Sequence, residues 1–193
     1  PEPNLKYMDA LSDKFSHKEQ ADIVLANPPF AGAIDKDEMS DEFRLTIKTK
    51  AFLFVDLFEQ ILFEGGRAAV IVPEGVLFNR NPQPIMNRKR LLENNTLEAI
   101  ISLPQGVFSP YSKVKTSILI WKKGGRTDVV PMFEMKNDGY TLDDIRKKIS
   151  ENDIPKIINS WDKRKNKDSA EKNNWLLVPI DKIEKNKYDL NIK

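Results

Sequence analysis

The stretch that most constrains this chain is residues 21–30, ADIVLANPPF. Ile23, Val24 and Leu25 form an apolar run too brief for a helix but sufficient for a buried parallel strand. Asn27-Pro28-Pro29-Phe30 comes directly after it. Two successive prolines cannot continue a sheet ladder, so the strand must stop there and the chain must turn outward. A carboxamide, a stiff backbone with free carbonyls and an aromatic ring are thereby set at the carboxyl end of a strand. Open α/β sheets hold their ligands at that edge.

The residues downstream of the turn decide the fold class. Residues 51–63 (AFLFVDLFEQILF) read as a helix, apolar almost all round, with Asp56, Glu59 and Gln60 marking a narrow wet side. Gly65-Gly66 reads as the stop of that helix, and residues 67–72 (RAAVIV) as a second buried strand closed by Pro73. Strand, helix and strand at this spacing make a βαβ unit with parallel strands and a right-handed crossover. Residues 84–93 predict a short helix entered at Pro84. Residues 97–103 (LEAIISL) and 116–121 (TSILIW) predict an antiparallel hairpin at a sheet edge, and residues 129–135 one more edge strand. The hairpin connection, residues 104–115 (PQGVFSPYSKVK), is aromatic and basic.

From residue 137 the composition changes. Residues 141–150 (TLDDIRKKIS) open with threonine and acids and end in lysines, which predicts an amphipathic helix. A weaker helix is expected over residues 154–165, with Pro155 in its first turn, then a polar connector (166–174) and an apolar patch (175–180). Lys163-Arg164-Lys165 with Lys167 reads as a solvated face rather than a phosphate contact.

Composition sets outer bounds. The 193 residues suit one domain, or one domain with an appendage. A net charge of +2 does not argue for nucleic acid by itself, so any basic face must be made by folding. The chain has no cysteine, hence no disulfide framework and no thiolate nucleophile, which is compatible with a reducing cytosol. No apolar run reaches membrane-spanning length and no signal-peptide pattern opens the chain, so no membrane association and a cytoplasmic location are expected. His17, the single histidine, sits in a charged stretch and reads as solvated, and no metal site is expected. Asp9 either closes a short strand or caps the next turn, the cap being favoured. Residues 31–50 form a loop too long and patternless to be idle: it is functional or disordered. The start at Pro1 without an initiator methionine fits processing and equally fits a piece of something longer.

The turn at residues 27–30 has a chemistry of its own. An exocyclic amine on a heteroaromatic ring is a poor nucleophile because its lone pair is delocalised. The Asn27 carbonyl oxygen can accept one of its N–H groups and the Pro28 backbone carbonyl the other. Two acceptors aimed at one amino group favour the charge that develops as nitrogen attacks an electrophile. Phe30 can stack on the ring, and the prolines hold these groups without loop entropy. Taken alone, the four residues read equally well as a plain strand exit.

In order along the chain, LANPPF, GGRAAVIVPEGVLF, LEAIISLPQGVFSPYSKVKTSILIWKK and a terminal YDLN resemble the modification subunit of type I restriction-modification systems. The likeness spans residues 7–191, and LANPPF resembles the catalytic motif of the amino-group N6-adenine DNA methyltransferases. The resemblance implies an α/β, Rossmann-like, S-adenosylmethionine-dependent methyltransferase domain, with a flipped adenine in DNA as methyl acceptor. It also implies assembly with a DNA-specificity subunit, a second modification subunit and a restriction subunit. On this chain, Asn27, Pro28 and Phe30 take the roles described, Pro29 fixes the turn, and Asp9 resembles an acidic position near the cofactor's adenine. The loops 31–50 and 104–115 are candidates for facing DNA; in the second, Tyr111, Lys113 and Lys115 are candidates for touching it, or are ordinary surface residues of a hairpin connection.

One departure stands out. Such methyltransferases carry a glycine-rich cofactor loop upstream of the NPPF strand, and this chain has no GxG. About twenty residues precede the strand, too few for two more βα units. The expectation is therefore the C-terminal half of the methyltransferase domain: a mostly parallel sheet with an antiparallel edge hairpin, plus a short helical extension. Residues 1–136 would hold the acceptor-base half and residues 137–193 the extension, inactive alone. Two other readings remain open: methyl transfer to another amine, a protein glutamine or an RNA guanine, or a non-catalytic subunit-interaction module.

Overall fold

A computed structural model describes residue 2 and residues 5–18 and 20–191. Its centre is a six-stranded sheet in the order β1 (Ala21–Ala26), β2 (Leu62–Pro73), β4 (Thr116–Lys123), β3 (Asn95–Ser102), β5 (Val129–Glu134), β8 (Trp175–Pro179). β1 pairs parallel with β2, and β3 with β5, while β4 runs antiparallel to both β2 and β3, and β8 antiparallel to β5. Four strands thus point one way, as a mostly parallel α/β sheet requires. The antiparallel hairpin β3–β4 is present but lies inside the sheet, because β5 and β8 extend the sheet beyond it.

Helices α1 (Lys50–Ile61) and α3 (Pro82–Asn94) cover one face, burying Phe52, Val55, Leu91 and Leu92 against Val70, Val72, Leu97 and Leu119. Between β2 and α3 lies the single turn α2 (Gly75–Phe78). The other face is covered on the β5 side, where α4 (Ile154–Ser160) and α5 (Lys167–Lys172) pack Ile157 and Ala170 on Ile101, Phe133 and Trp175. Pro155 does fall in the first turn of α4, and the expected connector contains α5. Helix α6 (Ile180–Lys185) returns Ile183 and, beyond it, Leu190 to the first core.

Several local expectations give way to tertiary partners. β1 is a parallel strand but not a buried one. It is the sheet edge among the described residues, with Val24 in the core while Ile23 and Leu25 are 67% and 79% exposed. α1 passes straight into β2 at Leu62, and Gly65-Gly66 lies within β2 rather than stopping the helix. There the β1–β2 register jumps from Ala21↔Leu62 to Ile23↔Arg67, a bulge. A Cβ on Gly66 would meet the Asp22 and Phe63 carbonyl oxygens at 2.9 Å, so the bulge needs glycine.

The wet side of α1 is dry as well: Asp56 and Glu59 are buried because residues 31–49 fold across them and bring Arg44, while α3 brings Arg90. His17 is also buried, its Nδ1 3.1 Å from Gln60 Oε1 and its ring edge-on to Phe43 at 4.7 Å. Arg164 is not solvated but lies buried over the Trp161 ring at 3.8 Å and donates to the Glu98 carbonyl.

No helix forms over residues 141–150. β6 (Asp138–Tyr140) and β7 (Lys148–Asn152) make a two-stranded hairpin instead. The capping chemistry is real but closes a turn: the Asp143 carboxylate accepts Ile145 N, Arg146 N and Thr141 Oγ1 at 2.9–3.0 Å. Short polar side chains offer the backbone this alternative to a helix.

Candidate acceptor-base site

The carboxyl ends of β1, β2, β3 and β5 lie along one edge, and the chain leaves β1 there at Asn27. The strand ends at Ala26, just before the two prolines, as their missing N–H groups demand. Pro28 is buried, Pro29 exposed and Phe30 half-buried, so the turn is anchored by one ring and presents the rest. The Asn27 carboxamide is exposed, and among the described residues neither it nor the Pro28 carbonyl has a hydrogen-bond partner. Two acceptors therefore stand free at the end of a strand held by its neighbour.

Phe30 does not face open solvent alone. Its ring meets that of Phe108 edge to face, centroids 5.2 Å apart and planes at 62°. Phe108 arrives on the connection between β3 and β4, and packs against the core that contains Ile101 and Leu103. Sequence reasoning missed this partner, although the aromatic content of residues 104–115 was its signal. The connection is tied at both ends: Leu103 N donates to Thr116 O at 2.9 Å and Glu74 N to Lys115 O at 3.0 Å.

Tyr111, on the same connection, is 95% exposed. Lys113 pairs with Asp144 at 3.8 Å and Lys115 with Glu74 at 3.0 Å. The three DNA candidates thus share the loop of Phe108, but only Tyr111 is without a partner among the described residues.

Asp9 caps a turn, its Oδ1 accepting Leu11 N at 2.9 Å, while Oδ2 lies 3.8 Å from Lys50 Nζ. It lines an open cleft of about 880 Å³ that also touches Tyr7, Lys50, Phe54 and Pro29. This cleft fits a nucleoside-bearing cofactor only in part. It offers an acid, an aromatic surface and Pro29 of the turn after β1, but no glycine-rich backbone to approach a charged tail.

A second charged cluster is buried under residues 31–49. Asp56 accepts Arg44 N (2.9 Å), Arg44 Nε (2.8 Å), Arg90 Nη2 (2.5 Å) and Gln60 Nε2 (3.3 Å). This network holds residues 31–49 to α1 and α3 without including a residue of the Asn27–Phe30 turn.

Fold and edge together define a Rossmann-like α/β domain of the methyltransferase type. Over residues 4–193 the chain matches the family described as N-6 DNA Methylase, and it belongs to that family. It is 39% identical over 121 residues to the type I restriction enzyme EcoEI methylase subunit of Escherichia coli, covering 62% of this chain and 24% of that protein. It is 28% identical over 188 residues to the MpnII methylase subunit of Mycoplasma pneumoniae, covering 92% and 33%. A solved chain from work on complex assembly and conformational transition of the type I R-M system superposes with a TM-score of 0.79 at 28% identity. That superposition covers 91% of this chain and 38% of the other. The chain spans about a quarter to a third of these curated relatives' length.

Proposed function

We propose that this chain supplies the acceptor half of an N6-adenine DNA methyltransferase, within the modification subunit of a type I restriction-modification system. One observation carries the reading: the unpartnered Asn27 carboxamide and Pro28 carbonyl beside the Phe30–Phe108 ring pair. An adenine extruded from the duplex stacks on Phe30. Its amino group donates one N–H to Asn27 Oδ1 and the other to the Pro28 carbonyl. Those bonds strengthen as positive charge builds on nitrogen during attack, which lowers the barrier. Pro28 and Pro29 keep both acceptors in place, and burial of Pro28 fixes their height above the sheet.

S-adenosylmethionine supplies an electrophilic methyl group when bound. Asp9 and the cleft reaching Pro29 form the side of its seat that this chain provides. Residues 1–136 make the acceptor half; in the extension, residues 137–193, β8 lengthens the sheet and α4 and α5 pack against it. DNA faces residues 104–115, through Tyr111, Lys113 and Lys115, rather than the acidic part of loop 31–50, residues 35–42. The exposed side chains of that second stretch include Asp35, Asp37, Glu38, Asp41 and Glu42 against Lys36, which repels phosphate. A DNA-specificity subunit, a second modification subunit and a restriction subunit complete the assembly, in keeping with the type I methylase subunits among its relatives.

In the intact subunit Asn27→Ala should abolish N6-methyladenine, read by mass spectrometry of digested DNA, with the thermal midpoint unchanged. Turnover near that of the unaltered protein would refute the assignment. Phe30→Ala should chiefly weaken base capture, read with 2-aminopurine at the target position.

A further inference from the structure

We propose that the β6–β7 hairpin is a positioning element for the acceptor site, setting the Phe108 loop against Phe30 through a backbone contact between Leu142 and Gly106. This rests on the methyltransferase reading above. The hairpin comes after β5 and so emerges on the same edge of the sheet as the acceptor turn. Its tip reaches residues 104–115, where Gly106 has φ +92°. A Cβ at Gly106 would lie 2.5 Å from the Leu142 carbonyl oxygen. Real Cβ atoms do not approach oxygen so closely, and an L side chain is strained at that φ, so the two backbones meet where only glycine fits.

Phe108 lies two residues further on. Ser109 N donates to Gly106 O at 2.9 Å and Val107 N to Pro104 O at 3.2 Å, so these residues form consecutive hydrogen-bonded turns. Displacing Gly106 by the ångström or so that a Cβ demands shifts Phe108 relative to Phe30, a contact now at 5.2 Å between centroids.

The hairpin is built to keep its tip still. At its base the Asp153 carboxylate accepts Lys136 N at 2.8 Å and Asn137 N at 3.0 Å. At the tip Asp143 gathers two backbone N–H groups and the Thr141 hydroxyl. Arg146 closes the structure: its guanidinium donates to the Thr141 carbonyl at 2.7 Å, pairs with Asp138 and lies over the Tyr140 ring at 5.5 Å. The Lys113–Asp144 pair, 3.8 Å apart with both side chains mostly exposed, adds little to the docking. A two-stranded hairpin is marginal by itself, so this concentration of internal bonds matches a requirement for a fixed tip. Gly106, Leu142 and Arg146 touch no substrate; they act through Phe108.

The test uses the full-length modification subunit assembled with its partner subunits, with duplex DNA carrying 2-aminopurine at the target adenine for fluorescence and the unmodified duplex for kcat. Gly106→Ala should cut the fluorescence gain per bound complex, and kcat for methylation, about tenfold or more. DNA affinity should stay within about threefold, with the stoichiometry and Kd for S-adenosylmethionine unchanged. Arg146→Ala, which leaves the loop sequence intact, should lower the same two readouts about threefold, and Arg146→Lys should recover part of the loss. Unchanged fluorescence and kcat in both Gly106→Ala and Arg146→Ala would overturn the positioning role. So would a loss matched by an equal loss of S-adenosylmethionine stoichiometry, which marks general unfolding. If the unaltered protein neither brightens 2-aminopurine nor methylates adenine, the methyltransferase reading itself falls.

Discussion

Removing the Asp56 carboxylate tests the buried charge network that sequence reasoning left in water. Asp56 is 0% exposed and accepts four hydrogen bonds, three from Arg44 and Arg90. Breaking a buried pair by deleting one partner costs about 3–5 kcal/mol, because the other charge stays behind uncompensated. The lower end applies, since both guanidiniums keep Glu59 at 3.3 Å and are partly exposed. A loss of about 3 kcal/mol is a large share of the roughly 5–15 kcal/mol typical of a folded domain. With a urea m-value of about 1–3 kcal/mol per molar, Asp56→Ala should lower the unfolding midpoint by about 1–3 M. Fluorescence of the buried Trp121 tracks the transition. The control is Glu93→Ala, which breaks the exposed i,i+4 pair with Lys89 at 3.8 Å and should cost less than about 0.5 kcal/mol. If Asp56→Ala and Glu93→Ala unfold at the same midpoint, the network does not stabilise the fold and the reasoning fails.

Two further outcomes rest on single residues. Arg88 is buried and donates to the carbonyls of Tyr188 (2.6 Å), Asn79 (2.8 Å) and Val76 (3.2 Å), tying the segment around Leu190 to α2. Burial lowers its pKa to about 10, so it stays charged at neutral pH. Arg88→Met should strand three carbonyls, lower stability by about 3 kcal/mol and expose the YDLN segment to protease first. Resistance to cleavage equal to that of the unaltered chain would count against the strap. Asp143 is held below the usual carboxylate range, chiefly by the Ile145 and Arg146 backbone N–H groups. A depressed folded pKa means the turn is secured above the unfolded value and loosens as pH falls through the folded one. The Ile145 and Arg146 amide proton shifts should therefore titrate with a midpoint below that of an ordinary aspartate. A midpoint at the ordinary value would show that the cap is not formed.

The parts read correctly from sequence are those written in short-range chemistry. Prolines at 28 and 29 end β1 wherever it sits, and the apolar run of α1 must be buried whatever covers it. The order of motifs along the chain is enough to mark the family, and the Asn27–Phe30 turn stands at the strand end. The exchange of a predicted helix for the β6–β7 hairpin shows the limit of such reading. Thr141, Asp143 and the lysines carry signals common to a helix start and a tight turn, and only the pairing of Asp138 with Asn152 decides between them.

Partners far along the chain decided the rest. Asp56 and Glu59 look solvated until Arg44 and Arg90 arrive, and His17 until Gln60 and Phe43 do. Gly65-Gly66 looks like a helix stop until β1 lies beside it. Phe108 becomes part of the site only because β4 enters the sheet between β2 and β3 and draws its connecting loop onto Phe30. Sequence alone determined which backbone groups had to turn and which side chains had to hide. Folding determined which charges and rings met, because burial and electrostatics depend on neighbours brought together in space rather than along the chain.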